Sequence, residues 1–326
     1  MEDRTKKLPM QIGVLALVFL LFLSLDLTVY FFGIRRCLPD TSEGMQAKSV
    51  ELTAYLPFAE NTGAPRVDAE VHFDSAYPLP VLDCAAALYP VEAGIARSLY
   101  PEEAAEFDRG TGDYTEKSAI RMRNTRGAYR AIADGDADLL LCAAPSEEQL
   151  AYAAEKGVTL RLTPVGREAF VFLVNEKNPV SDLTEAQVKD IFAGKIRFWD
   201  QVGGAHRPIS PVQRNKGSGS QTRMLKFMDG TPIAPDLFGP IGGTIGFSFR
   251  FYVSDLAAHS GVKMLSLNGV APTAEHVADG SYPLVNPFYA VTRDGEENPN
   301  VEALLAFLLS EKGQELISLA GYAGIS

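Results

Sequence analysis

The 326-residue chain is 46% hydrophobic and 22% charged, a balance that suits one or two cored domains and predicts that the bulk of it folds as an ordinary globular protein. Its 30 basic and 41 acidic side chains leave a formal charge of -11, which argues against nucleic acid as the main partner, because phosphate backbones are bound by net basic surfaces. A small anion stays open, since it responds to local groups more than to total charge.

From Leu8 to Ile34 one charge, Asp26, interrupts an apolar run longer than the ~20 residues a helix needs to cross a bilayer. The run ends in FFGIRRC, without the small-residue cleavage site of a secretory signal. Residues 1–36 are therefore expected to be a cytoplasmic tip and an uncleaved single-pass transmembrane anchor, with Arg4, Lys6 and Lys7 inside and the binding domain extracytoplasmic. Residues 37–65 have no sustained period and read as a stalk or irregular lead-in. Cys37, Cys84 and Cys142 show neither a disulfide framework nor a zinc spacing, and Cys84 and Cys142 are expected to be small buried residues.

Strands and helices then alternate. AEVHF (69–73) and PLPVLD (78–83) have the look of short strands, and the apolar spacing of residues 86–100 predicts a helix starting directly after Asp83. TRGAYRAIADG is a helix closed by Gly135, followed by the strand-like ADLLLCAAP. SEEQLAYAAEKG opens with a Ser-x-x-Gln capping box at Ser146 to Gln149. TLRLTPVG and AFVFLVN read as two strands, and the helix that begins at Thr184 is again capped. The alternation predicts an α/β fold with mostly parallel sheets, large enough for two lobes.

The stretch QRNKGSGSQTRMLKF, Gln213 to Phe227, reads as strand, tight turn and helix. Gly217 and Gly219 allow close approach to a ligand, Ser218 and Ser220 bring hydroxyls, and the helix start offers free N–H groups and a favourable dipole to an anion. Arg214 adds a guanidinium fork suited to oxyanions. From Arg197 to Met228 six basic residues face one acidic residue, Asp200, a local reversal of sign. On these residues alone the turn is either an anion cradle or a capped helix on a solvated basic face. It is neither an NTPase phosphate loop nor a hydrolase elbow, whose spacings it lacks.

RNKGSGSQT resembles the Arg-x-x-Gly-Ser-Gly-Thr/Ser loop of the PstS-type phosphate-binding proteins of bacterial ABC importers, within the type II periplasmic-binding-protein superfamily. The likeness continues in order from about Val67 to Ser326, through LDCAAALYPVEAGIARSLYP, NTRGAYRAIADGDADLLLCAAPSEEQ, IGFSFRFY and LVNPFYAVT. It implies a two-lobed α/β fold with two crossing hinge strands near VGREAF and LVNPFYAV, lobe one being residues 66–165 plus 286–326 and lobe two 166–285. It also implies a monomer that captures phosphate or a related oxyanion for the permease of an ABC importer, with no cofactor, no metal and no enzymatic activity. A membrane-tethered sensor with changed ligand specificity is the alternative.

Carried over by residue, the resemblance places the second-lobe site at Arg214, Ser218, Gly219 and Ser220, and the first-lobe site at the amides of Ala86 and Ala87 with Thr125. Two positions depart from the family pattern. Ala86 stands where relatives carry a hydroxyl, and Ala143 where the best-known phosphate binders carry an aspartate that accepts the ligand's proton. His72, His206, His259 and His276 are scattered and pair with no carboxylate or cysteine at a catalytic spacing. Glu168 is expected to be a structural partner of Arg167 or Arg214, and Trp199 a packing residue.

Overall fold

The computed structural model describes residues 18–25, 28, 52–239, 242–256 and 261–325. Residues 18–25 are helical and exposed, whereas most of the apolar run 8–34, Cys37 and the beginning of the lead-in lie outside the described residues. Among the described residues no helix is long and apolar enough to cross a membrane.

In chain order the elements are β1 (Leu82–Cys84), α1 (Tyr89–Leu99), β2 (Phe107–Asp108), β3 (Asp113–Tyr114), β4 (Ile120–Arg121), α2 (Asn124–Asp134), β5 (Leu139–Cys142), α3 (Glu147–Glu155) and β6 (Leu160–Asn175). They continue with β7 (Asp182–Leu183), α4 (Glu185–Phe192), β8 (Ile209–Pro211), α5 (Gly219–Met228), β9 (Gly243–Phe249), β10 (Val262–Met264) and β11 (Ser266–Leu267). The last are α6 (Ala274–Ala278), β12 (Val285–Arg293), α7 (Pro299–Leu309) and α8 (Glu311–Leu319).

Local sequence explains the boundaries. Both arms of the capping box form at Ser146 with Gln149 and at Thr184 with Gln187, so α3 and α4 begin where those residues satisfy otherwise unpaired helix-start amides. Gly135 ends α2 in the left-handed conformation (φ 86°) that disfavours other residues. By contrast AEVHF is not a strand. Its flanks are held by side chains instead of a ladder, with the Val67 amide donating to Ser98 Oγ and the Asp74 amide to Asn300 Oδ1. Leu52, Leu56 and Ala64 are buried in the same core, so this part of the lead-in is packed.

An eight-stranded sheet in the order β4-β1-β5-β12-β6-β9-β8, with β10 also on β6, runs through the molecule. It is mixed, not mostly parallel. β1 pairs in parallel with β4 and β5, and β8 with β9, but β12 is antiparallel to β5 and β6, and β6 to β9. Helical crossovers explain the parallel pairs, while β12 slots between β5 and β6 in the opposite direction.

The two strands expected over 159–175 are one long strand. The residues from Leu160 to Ala169 follow β12, and Phe170 to Val174 follow β9, so β6 belongs to both ends of the sheet. Gly166 permits this pairing, because a Cβ there would sit 2.3 Å from the Phe288 ring.

One core lies under α1, α7 and α8, around Tyr89, Ile95, Leu304 and Leu316, and a smaller one under α2 around Tyr129 and Ile132. A third surrounds the far half of the sheet, with Phe170, Phe172, Phe192 and Phe247 in edge or tilted contact. Each such ring contributes roughly 1.5–3 kcal/mol of burial. Cys84 and Cys142 are free and buried, as their spacing suggests.

Candidate functional site

Three helix starts face one cavity of about 300 Å³. The first is the 3₁₀ turn Ala86–Leu88 that leads from β1 into α1, the second is the beginning of α2, and the third is the beginning of α5. Ala86, Ala87, Thr125, Arg214, Ser218, Gly219 and Ser220, all seven positions expected from sequence, line it together, and so does Ala143.

At α5, Gly217 takes φ 82°, which turns the chain, and Ser218 caps the helix by accepting the Gln221 amide at 3.2 Å. The amides of Gly219 and Ser220 therefore stand at the helix tip without an acceptor inside the helix. A Cβ placed on Gly219 would lie 3.3 Å from Thr125 Oγ1, 3.5 Å from Ala143 Cβ and 3.6 Å from a ring carbon of Phe249. The turn thus approaches the loops after β4 and β5 at contact distance.

At the Ala86 turn no side chain caps the helix start, and the amides of Ala86 and Ala87 are the leading donors. The Ala87 carbonyl takes the Tyr322 hydroxyl. Asp83, fully buried at the end of β1, accepts the Cys84 amide at 2.8 Å and the Arg123 amide at 2.9 Å through Oδ1, and its other oxygen lies 3.4 Å from the Arg123 guanidinium. It ties the first turn to the start of α2. Burial pushes its carboxyl up to about 6, against the Arg123 amide, the Arg123 charge and the Cys84 amide. Asn124, at φ 60°, opens α2 in the left-handed region, the kind of backbone strain found where a loop must aim at a ligand.

Arg214 is partly buried, and its guanidinium makes neither an ion pair nor a hydrogen bond among the described residues. Burial lowers its pKa, and Tyr252, whose phenol burial raises, opposes that shift. Three other basic residues of the segment have partners: Lys216 pairs with Glu148 at 3.0 Å, Arg197 donates to the Gly194 carbonyl, and Arg223 donates to Asn286. Arg214 lines the cavity, as does Arg126 at the start of α2.

Glu168 also lines the cavity, but its cationic neighbour is Arg250, at 3.8 Å, and not Arg167 or Arg214. Arg167 donates instead to the carbonyls of Gly324 and Ala278. Glu168 accepts the Ala169 and Phe251 amides as well. Trp199 is a packing residue, 2% exposed, with Nε1 donating to Gly243. Sequence reasoning missed Asn124, Ser248, Phe249, Tyr252, Asn286 and Phe288, which also line the cavity. Their segments were recognisable, yet nothing in their residue types marks them as lining.

The family described as "PBP superfamily domain" matches residues 102–312. The phosphate-binding protein PstS of Bacillus subtilis is 28% identical over 209 residues, covering 60% of this chain and 65% of that protein. The PstS of Borreliella burgdorferi is 24% identical over 185 residues, covering 48% and 63%. The chain thus spans somewhat under two thirds of each of these relatives. A Clostridium perfringens substrate-binding protein assigned to phosphate ABC transport, solved with bound phosphate, superposes with a TM-score of 0.54 at 22% identity, covering 75% of this chain and 98% of that one. That likeness extends to the fold. With the match over residues 102–312 and the sheet described above, this chain belongs to the PBP superfamily and has its α/β periplasmic-binding-protein fold.

Proposed function

We propose that this chain is an extracytoplasmic solute-binding protein that captures phosphate or a related oxyanion for an ABC importer. The observation that carries the reading is the unpaired Arg214 facing, across one cavity, helix-start amides from two other loops. Donors from backbone and guanidinium are what an oxyanion requires. The relatives' names point the same way.

In this reading residues 66–165 plus 286–326 form one lobe and 166–285 the other, and the paired β6 and β12 are the hinge about which they close. The apolar run 8–34 anchors the monomer in the membrane. The cavity binds and releases, with no chemical step.

Calorimetry on the full chain in detergent, titrated with inorganic phosphate, tests the site. Saturable binding at one site per chain is expected. Arg214→Ala removes at least two charge-assisted hydrogen bonds of about 1.5–3 kcal/mol each, so the affinity should fall roughly a hundredfold or more. Unchanged affinity in the variant would sink the assignment.

A further inference from the structure

The cavity is larger and more apolar than a bare tetrahedral anion needs. Its volume, about 300 Å³, sits at the lower end of sites that enclose small organic molecules, whereas phosphate has five heavy atoms. Donors reach the cavity from Arg126, Arg214, Lys216, Ser220 and the three helix starts. The lining also includes the apolar side chains of Leu88, Ala143, Phe249 and Phe288, two of which, Ala143 and Phe249, lie at contact distance from the Gly219 turn.

The acceptors are as informative as the donors. Glu168 is the one carboxylate in the lining among the described residues, and its oxygens already take two backbone amides beside Arg250. Directly opposite the Gly219 turn, at 3.5 Å from the position of a Cβ there, is the Ala143 methyl. A P–OH group aimed at that wall would lose its hydrogen bond to water and find a methyl. An alkyl group aimed the same way would find the surface it prefers.

We propose that the cavity takes a tetrahedral phosphorus oxyanion with three free oxygens and one small alkyl substituent, an alkylphosphonate or a short alkyl phosphate monoester, in preference to inorganic phosphate. This rests on the oxyanion reading of the same site. The three oxygens meet Arg214 and the helix starts, and the substituent packs against Ala143 and the rings of Phe249 and Phe288.

The test is calorimetry on the full chain in detergent with three probes at one pH and salt: inorganic phosphate, ethylphosphonate and ethyl phosphate. At least one ethyl-bearing probe should bind tenfold or more tighter than phosphate, and the tighter of the two identifies the C–P or the ester source. In Ala143→Asp, which adds an acceptor and a charge, that preference should reverse. Ala143→Ser serves if the aspartate variant fails to fold, and should narrow the preference at least threefold.

Phosphate binding as tightly as both ethyl probes in the unaltered chain overturns this inference and leaves the oxyanion reading standing. A preference that Ala143→Asp and Ala143→Ser leave unchanged also overturns it. No heat with any of the three probes overturns both.

Discussion

The Gln149 side-chain amide donates to the Gly217 carbonyl at 3.2 Å, joining the start of α3 to the glycine turn before α5. The same side chain accepts the Ser146 amide at 2.8 Å, so one residue both caps a helix and ties it to the turn that leads into α5. Lys216 and Glu148 form a second bridge beside it, on a surface too exposed for the pair to matter much.

If closure of the cavity holds the ligand, Gln149→Ala should weaken binding by roughly three- to tenfold, the worth of one net hydrogen bond, and mainly by speeding dissociation. Ser146→Ala removes the other arm of the cap and leaves the bridge to Gly217 in place. It should cost about 1 kcal/mol of stability with little change in affinity. Stopped-flow dissociation and thermal melts of the two variants separate the roles, and equal affinities would contradict the bridging role.

Gly166 and Phe288 face each other in the β6–β12 pair. A methyl at 166 would stand 2.3 Å from the ring and 3.2 Å from the Ala323 carbonyl, so Gly166→Ala must displace Phe288, which lines the cavity and packs against Tyr322. Overpacking of this kind costs about 1–3 kcal/mol. The variant should melt lower in denaturant and bind more weakly, although residue 166 itself is not in the lining. Wild-type affinity in this variant would show that Phe288 is not part of the binding surface.

Much of this architecture was legible in the chain. The caps at Ser146 and Thr184 and the left-handed Gly135 are local signals, and they placed α2, α3 and α4. The GSGS turn and Arg214 announced an anion-favouring helix start, and ordered likeness located the Ala86 turn and Thr125, which the structure brings to the same cavity. What was hidden depends on pairing over long sequence distance. The union of 159–166 and 169–175 into one strand follows from β12, more than a hundred residues later, and the insertion of β12 between β5 and β6 made the sheet mixed. Phe249 and Phe288 look like ordinary strand residues, and only the sheet's path turns them toward the cavity.

Asp83 makes stability depend on pH in a defined direction. Its carboxyl is raised to about 6 in the fold against about 4 in an unfolded chain, so between those values the folded state holds the extra proton. Its contribution is fully present below pH 4 and is lost as pH rises through 6, a cost of roughly 3 kcal/mol at neutral pH. Asp83→Asn keeps the Oδ1 acceptor for Cys84 and Arg123 and cannot ionise. Relative to the unaltered chain it should therefore gain stability between pH 4.5 and 7.5 in denaturant titrations. Parallel pH curves for the two proteins would contradict this.

Glu92 is fully buried in α1, and neither carboxylate oxygen has a hydrogen-bond partner among the described residues. Burial, then the charge of Asp83, pushes its carboxyl well above the usual range, against the Cys84 thiol and the Arg121 charge. An uncharged residue of similar shape should serve as well. Glu92→Gln and Glu92→Met are expected to stay within about 1 kcal/mol of the unaltered stability, with Met the better of the two. A loss of about 3 kcal/mol or more in both would mean that the carboxylate is charged and paired.

The oxyanion site itself is most directly tested with arsenate, a tetrahedral oxyanion whose arsenic scatters anomalously. Crystals of the chain grown with arsenate should show one strong anomalous peak in the cavity, within hydrogen-bond reach of the Arg214 guanidinium, Ser220 and the amides of Ala86 and Ala87. No peak there at saturating arsenate, or a peak elsewhere on the chain with Arg214 untouched, would contradict the account.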